Sequence, residues 1–337
     1  MFVRSIAMAK IYTAYAPASS ANLSVGFDLL GIAVRPISGQ PLGDFVSARE
    51  LESDEKGNAG DDLLLQSTGR YVNKLPSDPK KNIVYDAYAL YKKKLLEKGL
   101  SAKRLELILQ KNLPVCSGLG SSAASVVAAV LAIDAAHGNF FGEDGCMQMM
   151  GELEGKISGS IHYDNVAPCY LGGMQFIMNE GGHISHNIPY FDNWYWVLCF
   201  PGIKVSTSEA RAILPAQYLR QDVITFGRRL ATFMHASYTK NEALATSVLV
   251  DVIAEPYRAL LIPGFVEARE HGQALSALAT GISGSGSTIF SIFNNLESAQ
   301  QMKEYLERQF IANEDGFCHI CKVDPEGAFV DVRDAQF

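Results

Sequence analysis

The sequence predicts two packed domains in which strands and helices are interspersed. The chain has 337 residues, more than one typical hydrophobic core organises. Short segments with period-two alternation are interleaved with longer segments of helical period. No low-complexity linker or internal repeat separates the halves, so they are expected to pack closely and share a cleft.

The elements follow in order. Lys10–Ala16 and Phe45–Glu50 read as strands, and the small-residue segment between them reads as turns; Asn58–Gly60 reads as a loop. Ile83, Ala87, Leu90 and Tyr91 share one face, which predicts a helix over Ile83–Lys98. Leu105, Leu107 and Leu109 alternate in a strand, Leu105–Gln110. The small apolar run Ala123–Ala136 predicts a buried helix stopped by Gly138, and a second helix covers Phe141–Lys156. Ser158–Gly173 is Gly-rich and polar. The strand Trp194–Phe200 opens the second domain, with helices at Ser208–Leu214, Asp222–Thr239, Glu242–Val252 and Val266–His271. A loop, Gly281–Ser287, leads to a strand, Thr288–Phe293, and a helix, Leu296–Phe310.

Composition excludes several classes of function. The residues are 48% hydrophobic and 19% charged, with a formal net charge of -7. Nucleic acid is therefore not an expected partner, because phosphate backbones are held by clustered Lys and Arg. The densest basic run, Lys92-Lys93-Lys94 with Lys98, is interrupted by Glu97 and reads as a solvated helix face. No window approaches the run of about 20 apolar residues that a membrane span needs. Met1–Lys10 lacks the apolar stretch of a signal peptide, and Met8 is an equally good start. Six cysteines in a chain this long read as reduced thiols of a cytoplasmic protein. Cys318-His319-Ile320-Cys321 has metal-like spacing, but no second pair completes a tetrahedral site. The alternation of Phe317–Val323 points the two cysteines to opposite faces of a strand, so packing is the expected role.

Chemistry concentrates in Pro114-Val115-Cys116-Ser117-Gly118-Leu119-Gly120-Ser121-Ser122-Ala123-Ala124, between a strand and a helix. The first amides of a helix lack internal partners and sit at its positive dipole end, so they bind anions. Glycines allow positive φ and close backbone approach, and the serine hydroxyls can donate to phosphate or ligate Mg²⁺. A Walker A loop is excluded because no lysine follows Gly120. Gly118-Leu119-Gly120-Ser121-Ser122-Ala123 matches the dinucleotide fingerprint, which also needs an acid at the next strand's tip. Here the nearest downstream acid, Asp134, falls inside the predicted helix, which disfavours that site. A turn without ligand leaves the adjacent serines unexplained. His162-Tyr163-Asp164 matches half of a facial-triad iron site, but the chain around His183 and His186 reads as a Gly-rich turn rather than a barrel strand. No G-x-S-x-G elbow is present.

Pro114–Ala124 resembles the second signature of the GHMP kinases, and Ser283-Gly284-Ser285-Gly286 resembles the third. Ala16-Pro17-Ala18-Ser19-Ser20-Ala21-Asn22-Leu23-Ser24-Val25-Gly26-Phe27-Asp28 resembles the first signature in its homoserine-kinase form. His162-Tyr163-Asp164-Asn165, Glu209-Ala210-Arg211 and Glu255-Pro256-Tyr257-Arg258 extend the likeness, in order, over nearly the whole chain. One departure is that the third signature commonly continues Gly-Pro-Thr, where this chain has Gly286-Ser287-Thr288. The change frees one φ angle and adds an N–H.

The resemblance implies an α+β fold: a ribosomal-protein-S5-like domain over residues 1–173 and a ferredoxin-like domain over 174–337. It implies ATP and Mg²⁺ as cofactors, phosphorylation of the L-homoserine hydroxyl on the way to threonine, and a homodimer. Residues 114–124, with Asn82, Gly284 and Gly286, would hold the nucleotide; Asn82 alone would read as a helix N-cap. Ser122 and Glu154 would hold the metal, and the count back from His162 favours Glu154 over Glu152. Asp28 would take the substrate ammonium, and Arg211 and Arg258 its carboxylate, as planar guanidinium forks suit. Asn22 and Asn165 would bond around the reacting end, with His162 and Thr207 in the same subsite. Several relatives carry an aspartate at the place of Asn165, and an amide cannot accept a proton at neutral pH. The expected mechanism therefore has no strong protein base, unless the adjacent Asp164 serves; the hydroxyl would pass its proton late in a loose transition state.

Overall fold

The computed structural model describes residues 10–51 and 62–334; the loop expected at Asn58–Gly60 and both candidate starts lie outside the described residues. Strand β1 (Lys10–Asn22) is nearly twice as long as the seven residues read as strand, and β2 (Gly26–Pro36) returns beside it. The small-residue segment is therefore a hairpin rather than a series of turns. Ala14, Ala16, Ala18, Ser19, Ser20 and Ala21 are all fully buried. A strand covered on both faces shows no polar alternation, which is why periodicity missed it.

β1 also pairs with β3 (Gly43–Glu50), which pairs in turn with β5 (Leu105–Gln110), while β4 (Leu63–Thr68) adds the parallel edge. On the other side of β2 lie β6 (Met174–Glu180) and β7 (His183–Ile188). The segment around His183 and His186 is thus a hairpin whose turn is confined to Gly181-Gly182. The second half supplies β8 (Tyr195–Phe200), β9 (Ala279–Ile282), β10 (Ile289–Phe293) and β11 (Phe317–Val323), and β12 (Phe329–Asp334) pairs with β1. The hydrogen-bonded path runs β4-β5-β3-β1-β2-β11-β8-β10-β9, so the two halves share one sheet through the β2–β11 pairing.

Helices α1 (Ile83–Glu97), α2 (Ser121–Ala136), α3 (Gly142–Ser158) and α4 (Val166–Leu171) belong to the first half. α2 touches β1, β3, α1, α3 and α4. Its alanines, serines and valines make it apolar and thin on every side, as a central buried helix must be. α4 lies within the segment read as Gly-rich and polar. In the second half come α5 (Thr207–Ala212), α6 (Arg220–Thr239), α7 (Glu242–Thr246), α8 (Glu255–Arg258), α9 (Phe265–Ala274) and α10 (Leu296–Gln309). α7 stops six residues short of the expected Val252, and α8 was not legible as a helix. Among the described residues no helix is long and apolar enough to cross a membrane.

β8 alternates between two cores: Trp196, Leu198 and Phe200 join the large core, whereas Val197 and Cys199 face a smaller one formed with α9 and α10. Cys318 lies in the smaller core and Cys321 in the larger, both buried, as the strand alternation required. The six cysteines are free thiols.

Asp134 sits inside α2, not at a strand tip, where it accepts from the Tyr91 hydroxyl (2.7 Å) and the Phe141 amide (3.0 Å). Asp134→Ala strands two donors, so urea unfolding is expected to show a loss of about 2–4 kcal/mol. A loss under about 0.5 kcal/mol would contradict this role.

Candidate active site

A cavity of about 380 Å³ opens where the loop before α2, the β1–β2 turn, the α3–α4 connection, α5 and α8 meet. Gly120 caps α2 in the left-handed region (φ 61°), and Gly118 is also left-handed (φ 83°). Both positions are closed to larger residues. A Cβ on Gly118 would stand 2.3 Å from the Ser283 carbonyl oxygen, and one on Gly120 would stand 2.0 Å from Ser19 Oγ. The three signature segments are stitched together here: Ser283 Oγ donates to the Gly118 carbonyl (2.7 Å), Ser19 N to Leu119 (3.2 Å) and Gly284 N to Ala21 (3.2 Å). Thr288 N donates to the Ser117 carbonyl (2.9 Å), and Ser287 Oγ donates to the Ile203 carbonyl.

Of the residues expected around a nucleotide, Val115, Cys116, Ser117, Gly118, Gly120, Ser121 and Ser122 line the cavity, with Asn82 and Gly284. Pro114, Leu119, Ala123 and Ala124 are buried and do not line it, and Gly286 packs near Ile262 and Ile282. Asn82 is the N-cap of α1, its Oδ1 accepting from Val84 N (3.0 Å), and it also lines the cavity. Leu75, Pro76 and Ile83 give that end an apolar wall.

At the other end the acidic and basic groups converge. The turn after β1 holds Asn22, Leu23 and Ser24 at positive φ, and Asn22 Oδ1 accepts from Asp28 N (2.9 Å) while its Nδ2 donates to Gly284 (2.9 Å). Asp28 receives both terminal nitrogens of Arg211, at 2.8 and 3.1 Å. Arg211 Nε is buried without a hydrogen-bond partner. His162 Nδ1 stands 3.9 Å from Asp28, and burial holds its pKa down against the pull of that carboxylate. Arg258 is buried and donates to Ala210 and Gly284 carbonyls, both at 3.0 Å, with Phe27 against its guanidinium (5.2 Å). Thr207 opens α5 above a Ser206–Glu209 capping box. Asn165 Oδ1 accepts from Ser19 Oγ (2.9 Å).

Glu154 and Ser122 face the same cavity, whereas Glu152 pairs at the surface with Lys94 (2.7 Å). Burial raises the Glu154 pKa, and the Ser122 hydroxyl and Lys111 oppose it. Ser122 Oγ and Glu154 Oε2 are both buried oxygens of the kind a hard cation takes. Lys111 also lines the cavity; one lysine after an apolar strand carries no periodic signal, so the sequence did not disclose it.

This site, on this fold, is that of a known class. The GHMP kinases N terminal domain matches residues 82–173, and the GHMP kinases C terminal domain matches 228–312. The chain belongs to the GHMP kinase family. It is 32% identical to a homoserine kinase from Cytophaga hutchinsonii, over 98% of this chain and 100% of that one, with a TM-score of 0.83. A putative homoserine kinase from Listeria monocytogenes shares the fold (21% identity, 95% and 99% coverage, TM-score 0.66). So does L. major mevalonate kinase in complex with R-mevalonate (14%, 92% and 95%, TM-score 0.63).

Burial, and after it the Asp28 carboxylate, pushes the Asp164 pKa up to about 7. The folded chain then keeps this proton after the unfolded chain has released it, so stability falls as pH rises from about 4 to about 7. Asp164→Asn removes that dependence. The stability of wild type relative to the variant is expected to drop by a few kcal/mol between about pH 4 and about pH 8, read from urea midpoints. Parallel curves would contradict the shift.

Proposed function

We propose that the chain transfers the terminal phosphoryl group of ATP to the side-chain hydroxyl of L-homoserine, giving ADP and O-phospho-L-homoserine. The observation that carries this reading is the two-ended cavity. One end offers the glycine loop and the positive end of α2, and the other offers an Asp28–Arg211 pair with Arg258 behind it. An amino-acid zwitterion can take the place of each partner for the other without leaving either charge unpaired. Mevalonate or a sugar has no ammonium for Asp28.

Phosphoryl transfer needs in-line positioning and stabilisation of developing charge rather than covalent help. The loop amides and the dipole of α2 would hold the phosphates, and Asn82 the nucleoside end. Ser122 and Glu154 would hold Mg²⁺, which keeps most of its waters and needs few protein oxygens. When bound it neutralises phosphate charge. Asn22, His162, Thr207 and Asn165 would orient the hydroxyl. Ser122→Ala and Glu154→Gln are each expected to lower kcat by about a hundredfold at little change in homoserine KM.

Two routes remain for the hydroxyl proton. Asn165 cannot take it, which favours late transfer to a phosphate oxygen. The Asp164 carboxyl, in the cavity with a pKa of about 7, favours a second reading in which Asp164 is the base. Loss of nearly all kcat in Asp164→Asn at unchanged KM selects the base; retention selects the phosphate route. A cytoplasmic place, a homodimer and a role in threonine formation belong to the same proposal.

ATP consumption against homoserine, mevalonate, galactose and shikimate in parallel tests the assignment. Turnover with homoserine is expected; turnover with mevalonate or galactose but not homoserine would sink it. Asp28→Ala is expected to weaken homoserine binding by about 2–5 kcal/mol, as stranding a charge partner does. An unchanged KM would refute that role.

A further inference from the structure

We infer that Lys111 is a positioning residue: its ammonium ties the first turn of α2 to β3 and thereby sets the affinity of the phosphate loop for nucleotide. This deepens the ATP-binding reading and rests on it. Lys111 follows β5 directly and is 2% exposed, although it borders the cavity. An ammonium has three N–H donors. All three are used, on the Asp44 carboxylate, the Ser121 carbonyl (2.8 Å) and Ser125 Oγ (2.9 Å). Lys111 therefore has no proton left for a phosphate oxygen.

Asp44, on β3, is fully buried and equally committed. Its Oδ1 accepts from Asn112 N (2.8 Å) and Leu113 N (3.0 Å), and its Oδ2 from Ser125 Oγ (2.7 Å) as well as from Lys111. Ser125 closes the ring, accepting from the lysine and donating to the aspartate. Asp44 thus fixes the residues that enter the loop, and Lys111 fixes the turn of α2 that leaves it. Ser121 Oγ joins the two by donating to the Leu113 carbonyl (3.2 Å). The lysine backbone is itself held, with Lys111 N on Thr68 (2.8 Å) and Tyr71 N on its carbonyl (3.0 Å).

A buried ion pair is a poor source of stability, because desolvation offsets its attraction; apolar replacement of both partners is often neutral. What it supplies here is register. The loop amides act on phosphate only where their N–H vectors converge, and a shift of about 1 Å can cost about a hundredfold.

The test compares wild type, Lys111→Met and the double variant Lys111→Met/Asp44→Asn. Each is assayed for urea midpoint, ATP affinity by calorimetry, and KM for both substrates. Lys111→Met leaves a lone buried carboxylate and is expected to lose stability and raise the ATP KM by about tenfold or more, with homoserine KM within about twofold. The double variant has no lone charge and keeps an oxygen for Asn112 and Leu113. Its urea midpoint is expected to return toward wild type while its ATP affinity stays low, and that separation supports the clamp. Recovery of ATP affinity together with stability would show a merely structural pair and overturn it, as would equal rises in both KM values. Should Lys111→Met not fold, the double variant decides alone. A wild type that binds no ATP overturns the nucleotide reading and the clamp's role with it.

Discussion

The close backbone approach at Gly118 is the contact on which the rest of the site depends. The Cα of Gly118 faces the Ser283 carbonyl oxygen where no side chain fits, and the Ser283 hydroxyl bridges to Gly118 and to Ser20. Three segments far apart in the chain are thereby held edge to edge, by hydrogen bonds that each satisfy an otherwise buried polar group. One of them ends a strand, one starts a helix and one precedes β10. Because the contact joins the halves, the sheet that continues through β2 and β11 and the cavity that opens above it are fixed together.

The same constraint separates the chemistry into two ends. α2 must be thin to reach between β1, β3 and its neighbouring helices, so its amides arrive at the cavity with no side chain crowding them. The recognition groups come from the periphery of that contact. Asn22 bonds the Asp28 amide at the turn, α5 brings Arg211 against the Asp28 carboxylate, and α8 brings Arg258 over the neighbouring Phe27 ring. Burial then governs the acid–base state: it keeps the Asp164 proton near neutrality and discourages a charge on His162.

Much of this was legible from residues. Leu105–Gln110 and Phe317–Val323 have the bounds read from alternation, because each has apolar residues at regular spacing. The loop before α2 was singled out by its glycines and serines alone and does line the cavity, and Asp134 does lie inside a helix rather than at a strand tip. Elements covered on both faces were not legible: the end of β1 is a run of small buried residues, and β2 is buried continuously over Leu30–Val34, so neither shows alternation. The β6–β7 hairpin was hidden because two glycines outweighed the short strands flanking them. The Asp28–Arg211 pair joins residues 183 positions apart and the Lys111–Asp44 pair 67 apart, so no local spacing announces them. Asp28 and Arg211 were each named through family likeness but not as partners of one another, so both pairs emerged only with the fold.

The central claim is that the acceptor is recognised by both of its charges at once. It is tested most directly by comparing L-homoserine with 4-hydroxybutyrate, which lacks the ammonium, and 3-amino-1-propanol, which lacks the carboxylate. With ATP saturating, kcat/KM is expected to fall by about a hundredfold or more for either analogue, since each strands a charged partner in the cavity. Turnover of either analogue within about threefold of L-homoserine would contradict the claim.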